Sequence, residues 1–123
     1  MFSVDDYTIT LSRGDTGALK VSATATLEGD PFTFGADDRA LFSIKTANGE
    51  IIMQKICAMD NNAFTVYFLN ADTDSLAPGS FYWDVRYIIH PYYDSEGRIV
   101  DGDQVITPKT PMNMSLLTVV GDV

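Results

Sequence analysis

Apolar and polar residues alternate along most of this chain, the period expected of strands that bury one face. The longest alternation follows Leu76-Ala77-Pro78-Gly79, which reads as a tight turn: proline fixes φ, and glycine accepts the positive φ that a type II turn requires next. From there Phe81, Trp83, Val85, Tyr87 and Ile89 point one way, and Tyr82, Asp84 and Arg86 the other. Leu19, Val21, Ala23, Ala25 and Leu27 alternate as cleanly against Lys20, Ser22, Thr24 and Thr26. Shorter sets are Tyr7, Ile9 and Leu11; Ala40, Phe42 and Ile44; and Phe64, Val66 and Phe68. Near the end Met112, Met114, Leu116 and Val120 share one face, interrupted by Thr118.

Turn chemistry separates these runs. Arg13-Gly14-Asp15-Thr16-Gly17, Glu28-Gly29-Asp30-Pro31 and Asp60-Asn61-Asn62 break the pattern, and Asn48-Gly49 carries the residues of a type I′ hairpin turn. A return strand from about Ile51 to Ile56 has no clear buried side. Phe32 and Phe34 suit a short strand, and Ala36–Arg39 a loop or one helical turn. His90 to Asp103, with Pro91 and two glycines, reads as a long loop, and Pro108 and Pro111 place the last segment at a sheet edge or a bulge. Nothing predicts a helix longer than a turn. Seven to nine short strands at regular spacing, with a turn feeding an aromatic central strand, predict one all-β domain over residues 1–123: an immunoglobulin-like antiparallel β-sandwich.

Charge narrows the partners. Against 17 acidic residues stand 8 basic ones, a net charge of −9, so nucleic acid and anionic membrane surfaces are expected to be repelled. Cys57 is the one cysteine, which excludes an internal disulfide, fits synthesis in a reducing cytoplasm, and suits a small core or half-buried residue. The opening Met1-Phe2-Ser3-Val4-Asp5-Asp6 carries acid where a secretory signal carries base.

Chemistry is sparse. His90 is the single histidine and no nucleophile elbow is present, so nucleophilic catalysis is not expected. Asp84 and Asp94 are candidates for a paired-carboxylate site, but Asp84 lies two residues from Arg86 on one strand face, where an exposed cross-strand ion pair is the simpler role. Asp94-Ser95-Glu96-Gly97 and Asp101-Gly102-Asp103 offer hard oxygens without the spacing of a twelve-residue calcium loop, so solvated turns are expected and no metal or cofactor. Arg13-Gly14-Asp15 is read as a β-turn, not as an integrin-type tripeptide. Tyr92 and Tyr93, beside Pro91, are the best binding candidates, since adjacent exposed tyrosines anchor a protein partner or stack on a sugar.

The order of features resembles the N-terminal domain of phage baseplate upper proteins and related small prophage tail proteins of Gram-positive hosts. The resemblance is carried by Ile9-Thr10-Leu11-Ser12-Arg13-Gly14-Asp15-Thr16, by Asp38-Arg39-Ala40-Leu41-Phe42-Ser43-Ile44-Lys45 followed by Asn48-Gly49, by Leu76 through Val85, and by Val105-Ile106-Thr107-Pro108. It implies a non-enzymatic virion component, made in the bacterial cytoplasm, whose partners are other tail or baseplate proteins, with self-association a further option. Baseplate upper proteins usually continue into a long trimerising C-terminal region, whereas this chain stops at Val123, a departure that counts against the trimeric role and is consistent with a small free-standing accessory protein. Phe81 stands where the corner tyrosine of the fold is expected. The contact residues expected on this reading are Tyr92, Tyr93, Asp94, Arg98 and Asp101, presented on a loop. The alternative is a module that binds carbohydrate at a cell surface through the same tyrosines.

Overall fold

The computed structural model describes residues 2–5, 8–22, 26–27, 29–107 and 115–120. Its elements are β1 (Phe2–Asp5), β2 (Thr8–Ser12), β3 (Gly17–Ser22), β4 (Thr26–Leu27), β5 (Asp30–Pro31), β6 (Arg39–Lys45), β7 (Ile51–Ala58), β8 (Ala63–Phe68), α1 (Asn70–Asp74), β9 (Gly79–Tyr93), β10 (Ile99–Ile106) and β11 (Ser115–Val120). The fold is an all-β sandwich. One sheet of seven strands has the order β1-β2-β11-β9-β6-β7, with β10 also on β9; β3 and β8 form the facing sheet, and β4 and β5 a small ribbon. In chain order β3 and β8 take the places of strands B and E of an immunoglobulin sandwich, and β6, β7, β9 and β11 those of C, C′, F and G. The sheet is mixed, not wholly antiparallel, because β2 runs parallel to β11, with Leu117 beside Ile9 and Val119 beside Leu11.

Strand β9 is the spine. Tyr82 and Trp83 pair with β6 on one side and β11 on the other, and Tyr87 and Ile88 pair with β6 and β10. So β10 and β11 follow one another along a single edge of β9. The predicted inward residues of β9 face the core: Trp83, Val85, Tyr87 and Ile89 are buried, and Phe81 packs against them. Aromatic rings bind the two sheets. Phe42 stacks on Trp83 at 5.6 Å and meets Phe68 of the facing sheet edge-on at 5.8 Å, while Tyr87 contacts Phe34 at 4.9 Å and Phe64 at 5.9 Å. The Tyr87 hydroxyl has no hydrogen-bond partner among the described residues, and burial pushes its pKa up to about 12. Phe2 closes the end of the core over Gly17, where a Cβ would stand 2.5 Å from its ring.

Several local expectations need correction. The type I′ turn lies at Asn61–Asn62, both at positive φ (50° and 56°), with reciprocal Asp60–Ala63 backbone bonds of 2.8 and 2.9 Å. At Asn48-Gly49 only Gly49 is left-handed (φ 85°); Gly49 N–H donates to Thr46 O, a tight turn followed by a glycine bulge. Leu76–Gly79 is a bend in which Gly79, at φ 146°, opens β9 outside the range of a type II turn. Phe32 and Phe34 are not in a strand. The Asn62 side chain stands in for one, its Oδ1 accepting from Phe34 N (2.8 Å) and its Nδ2 donating to Phe32 O (3.1 Å). In β11 the buried residues are Leu117 and Val119, and Leu116 and Val120 face out; two apolar residues in each phase hid the choice from the pattern.

The ambiguous β7 has isoleucines outside and a lysine on its inner side. Ile51, Ile52 and Ile56 are exposed, while Lys55, opposite Phe42, reaches Asp72 of α1 at 2.6 Å. An inward charge on an edge strand hinders further strand pairing. Cys57 lies in the core as expected, opposite Ala40. The sequence expectations for Tyr7, Ala23, Ala25, Pro108, Pro111, Met112 and Met114 lie outside the described residues. No helix among the described residues is long and apolar enough to cross a membrane.

Candidate functional site: a projecting hairpin arm

The segment read as a long loop is a β-hairpin. Strand β9 continues past its last β6 partner, Ile88, through Tyr93, and β10 pairs back from Ile99. Residues 89–93 therefore carry the arm roughly 17 Å beyond β6, at ~3.3 Å per residue. Of the expected site residues, only Asp94 and Arg98 sit in the connecting turn; Tyr92, Tyr93 and Asp101 are on strands. Pattern reading missed this because Pro91 and two glycines suggest loop. Pro91 is opposite Gly102, and Gly97 takes the left-handed place in the turn (φ 80°).

Asp94 builds the turn. Its Oδ1 accepts from the backbone N–H of Glu96 and Arg98, both at 2.9 Å, and its Oδ2 accepts from Arg98 Nε at 2.9 Å. The Arg98 amide above all, with the Glu96 amide and the Arg98 guanidinium, holds the Asp94 carboxyl below the usual range. Asp94 and Arg98 thus shape the arm, and Asp94 is not left free as a contact. Tyr92 and Tyr93 are 53% and 47% exposed, and Asp101 is exposed beside them.

The base of the arm is fixed by Asp38, His90 and Asp103, which the sequence reading did not connect with one another. His90 adopts a left-handed φ of 49°, uncommon in a strand, and its N–H donates to Oδ1 of Asp38 at 3.1 Å. Asp38 is 3% exposed, and its Oδ2 also accepts from Gly35 N at 2.7 Å. Asp103, opposite His90, meets His90 Nδ1 at 3.0 Å and accepts a short hydrogen bond from the Tyr92 hydroxyl. That hydroxyl and His90 draw the Asp103 pKa down, while Asp103 pushes Tyr92 up. Once β9 and β10 are recognised as a hairpin, register alone places His90 opposite Asp103; without it the two look unrelated.

These carboxylates give the arm an acid limit. A carboxyl whose folded pKa is depressed stabilises the fold fully above its unfolded value, about 3.9 for Asp, and that stabilisation is lost as pH falls through the lower folded value. Amide exchange at Glu96 and Arg98 is expected to accelerate relative to the β6–β9 ladder as pH drops below about 4. Asp94→Ala should give fast exchange there at every pH; protection unchanged in that variant would refute the role given to Asp94.

Other candidates resolve differently. Asp84 does form a cross-strand ion pair, with Lys45 Nζ of β6 at 2.5 Å, but it lies opposite Ser43 and is buried, not exposed. Its Oδ1 is buried without a partner among the described residues. The Arg13-Gly14-Asp15 turn is tied down as expected of a structural turn. Arg13 donates to Asp74 O at 2.9 Å, and Asp15 Oδ2 accepts from Ser12 N at 3.0 Å. Among the described residues no three His, Cys, Asp or Glu side chains cluster to hold a metal. A groove of about 280 Å³ beside the arm is lined by Asp37, Arg39, His90, Pro91, Tyr92 and Tyr93. A larger open hollow of about 500 Å³ lies elsewhere, by Lys20, Asp60 and Thr65. Each holds a single carboxylate, so neither presents a glycosidase-type pair. No family model matches the chain, and no curated protein matches it significantly.

Proposed function

We propose that the protein is a non-enzymatic structural or accessory component of a phage or prophage tail or baseplate, docking on other virion proteins through the β9–β10 arm. The observation that carries the reading is the arm itself. Tyr92, Tyr93 and Val100 (63% exposed) stand on a hairpin braced by Asp38, His90, Asp94 and Asp103. Exposed aromatic side chains on a rigid element are effective interface anchors, since little conformational freedom is lost on contact. The likeness to tail proteins also bears on this reading, because its strings Asp38–Lys45 and Leu76–Val85 contain β6 and the first half of β9, which pair with each other.

The test is incorporation into particles. Tails purified after prophage induction of the host should contain the chain in fixed proportion to the other tail proteins. Tyr92→Ala/Tyr93→Ala should be lost from them by about tenfold or more while its circular dichroism stays that of the parent. Particles free of the chain would overturn the proposal, and glycan binding by the isolated protein in calorimetry would favour the carbohydrate module.

A further inference from the structure

The facing sheet has two strands against seven, so β3 and β8 each keep a free edge. Free edges are ordinarily guarded, because a row of unpaired N–H and C=O groups is a template for another strand. Most of them are guarded here. Among the described edge strands β1 carries Asp5, β3 Lys20, β7 Lys55, and β10 Asp101 and Asp103. Strand β8, Ala63-Phe64-Thr65-Val66-Tyr67-Phe68, has no charge and no proline, and its β-branched and aromatic residues favour pairing. The turn before it shows which groups are free. Ala63 N–H and C=O both exchange bonds with Asp60, on the side away from β3. The N–H and C=O of alternate residues point to opposite sides of a strand, so those of Thr65 and Tyr67 point the same way as those of Ala63. Outside the β3 ladder no bond reaches the backbone of Thr65 or Tyr67 among the described residues.

The free window is short and bounded. Before it Ala63 is taken by Asp60, and after it the Leu69 N–H is taken by Asp72 Oδ2 at 2.8 Å. We propose that this window pairs with the same window of a second copy, antiparallel about a twofold axis through Val66. Thr65 then lies opposite Tyr67 of the second copy, and Tyr67 opposite its Thr65. Each such pair exchanges both of its backbone hydrogen bonds, so every free group of both windows is satisfied. The two small sheets merge into one of order β3-β8-β8-β3. A strand that pairs with itself sets each charge near its like, so a strand without charge suits a second copy, whereas a charged foreign segment finds nothing on β8 to recognise. The outer face is open around the axis. Tyr67 is the most exposed large apolar or aromatic side chain among the described residues. A hollow of about 500 Å³ runs from Lys20 and Ser22 past Thr65 and Tyr67 to Ala58, which leaves room beside Thr65 for the Tyr67 ring of the second copy. A ladder this short buries little area, so the dimer is weak and reversible. The arm takes no part in it.

Sedimentation and amide exchange over a dilution series, from about 1 mM to about 1 μM chain, test this. The parent chain should pass from dimer to monomer on dilution. The Thr65 and Tyr67 amides should be protected at high concentration and exchange fast at low concentration, whereas those of Phe64, Val66 and Phe68, which point to β3, should stay protected throughout. Each copy has a net charge of −9, so added salt should strengthen the dimer by screening the repulsion. Tyr67→Lys makes the chain less acidic, yet it should weaken association by about tenfold or more with circular dichroism unchanged. Tyr67→Phe, which keeps the ring and the backbone groups, should dimerise like the parent. A chain monomeric at every concentration, a dimer in which the two amides exchange as in the monomer, a dimer that salt weakens, or a Tyr67→Lys variant that associates like the parent would each overturn the proposal. Protection of the two amides that appears only when other tail proteins are added would overturn it as well, by naming a different occupant.

Discussion

Trp83→Ala is expected to lower unfolding free energy by about 3–5 kcal/mol, the range for truncating a buried aromatic residue. Trp83 is 3% exposed and lies on the strand paired on both sides, with Ile44 opposite it on β6 and Ser115 on β11. Its ring stacks on Phe42, which in turn meets Phe68 across the sandwich, so the cavity would open where the two sheets are joined. Collapse into that space is limited because Phe42, Ile44 and Val85 are themselves held by strand register. Urea unfolding of parent and variant measures the difference. A change below about 1 kcal/mol would mean that the ring is not part of the core.

Lys45→Met is expected to cost about 3 kcal/mol, measured in the same way, because it leaves the buried Asp84 carboxylate without its cation. Asp84 is 7% exposed, Lys45 Nζ is bound to its Oδ2, and its Oδ1 lacks a partner among the described residues. Lys45→Met/Asp84→Leu should recover most of the loss, since removing both charges also removes their desolvation. A double variant as unstable as the single one would show that the pair acts through a wider network.

The sandwich was legible wherever one face of a strand is apolar and the other polar. Ile9 and Leu11, Leu19 and Val21, Phe64 to Phe68 and Trp83 to Ile89 all lie inward as their alternation predicts. Reading failed where both phases carry the same kind of residue, as in Leu116-Leu117 and Val119-Val120, or where function of the edge inverts the pattern, as with Lys55 inside and Ile56 outside on β7. The parallel β2–β11 pair joins residues about a hundred positions apart, which no local pattern encodes. At the arm, Tyr92 and Tyr93 were found as exposed aromatics, yet the hairpin that carries them was hidden by Pro91 and the glycines. Asp38 and Asp103 look like ordinary surface acids until pairing brings them to His90. The Asp84–Lys45 pair depends in the same way on a register that sequence spacing does not state.

Strand β9 runs unbroken from the core into the arm, flanked by hydrogen-bonded neighbours over most of its length. A pull on the arm along the strand axis would therefore load those ladders in shear, many bonds resisting together, whereas a pull across the strand would peel them one at a time. The sandwich thus has a direction in which it bears mechanical tension best, and that direction is the one in which the arm points.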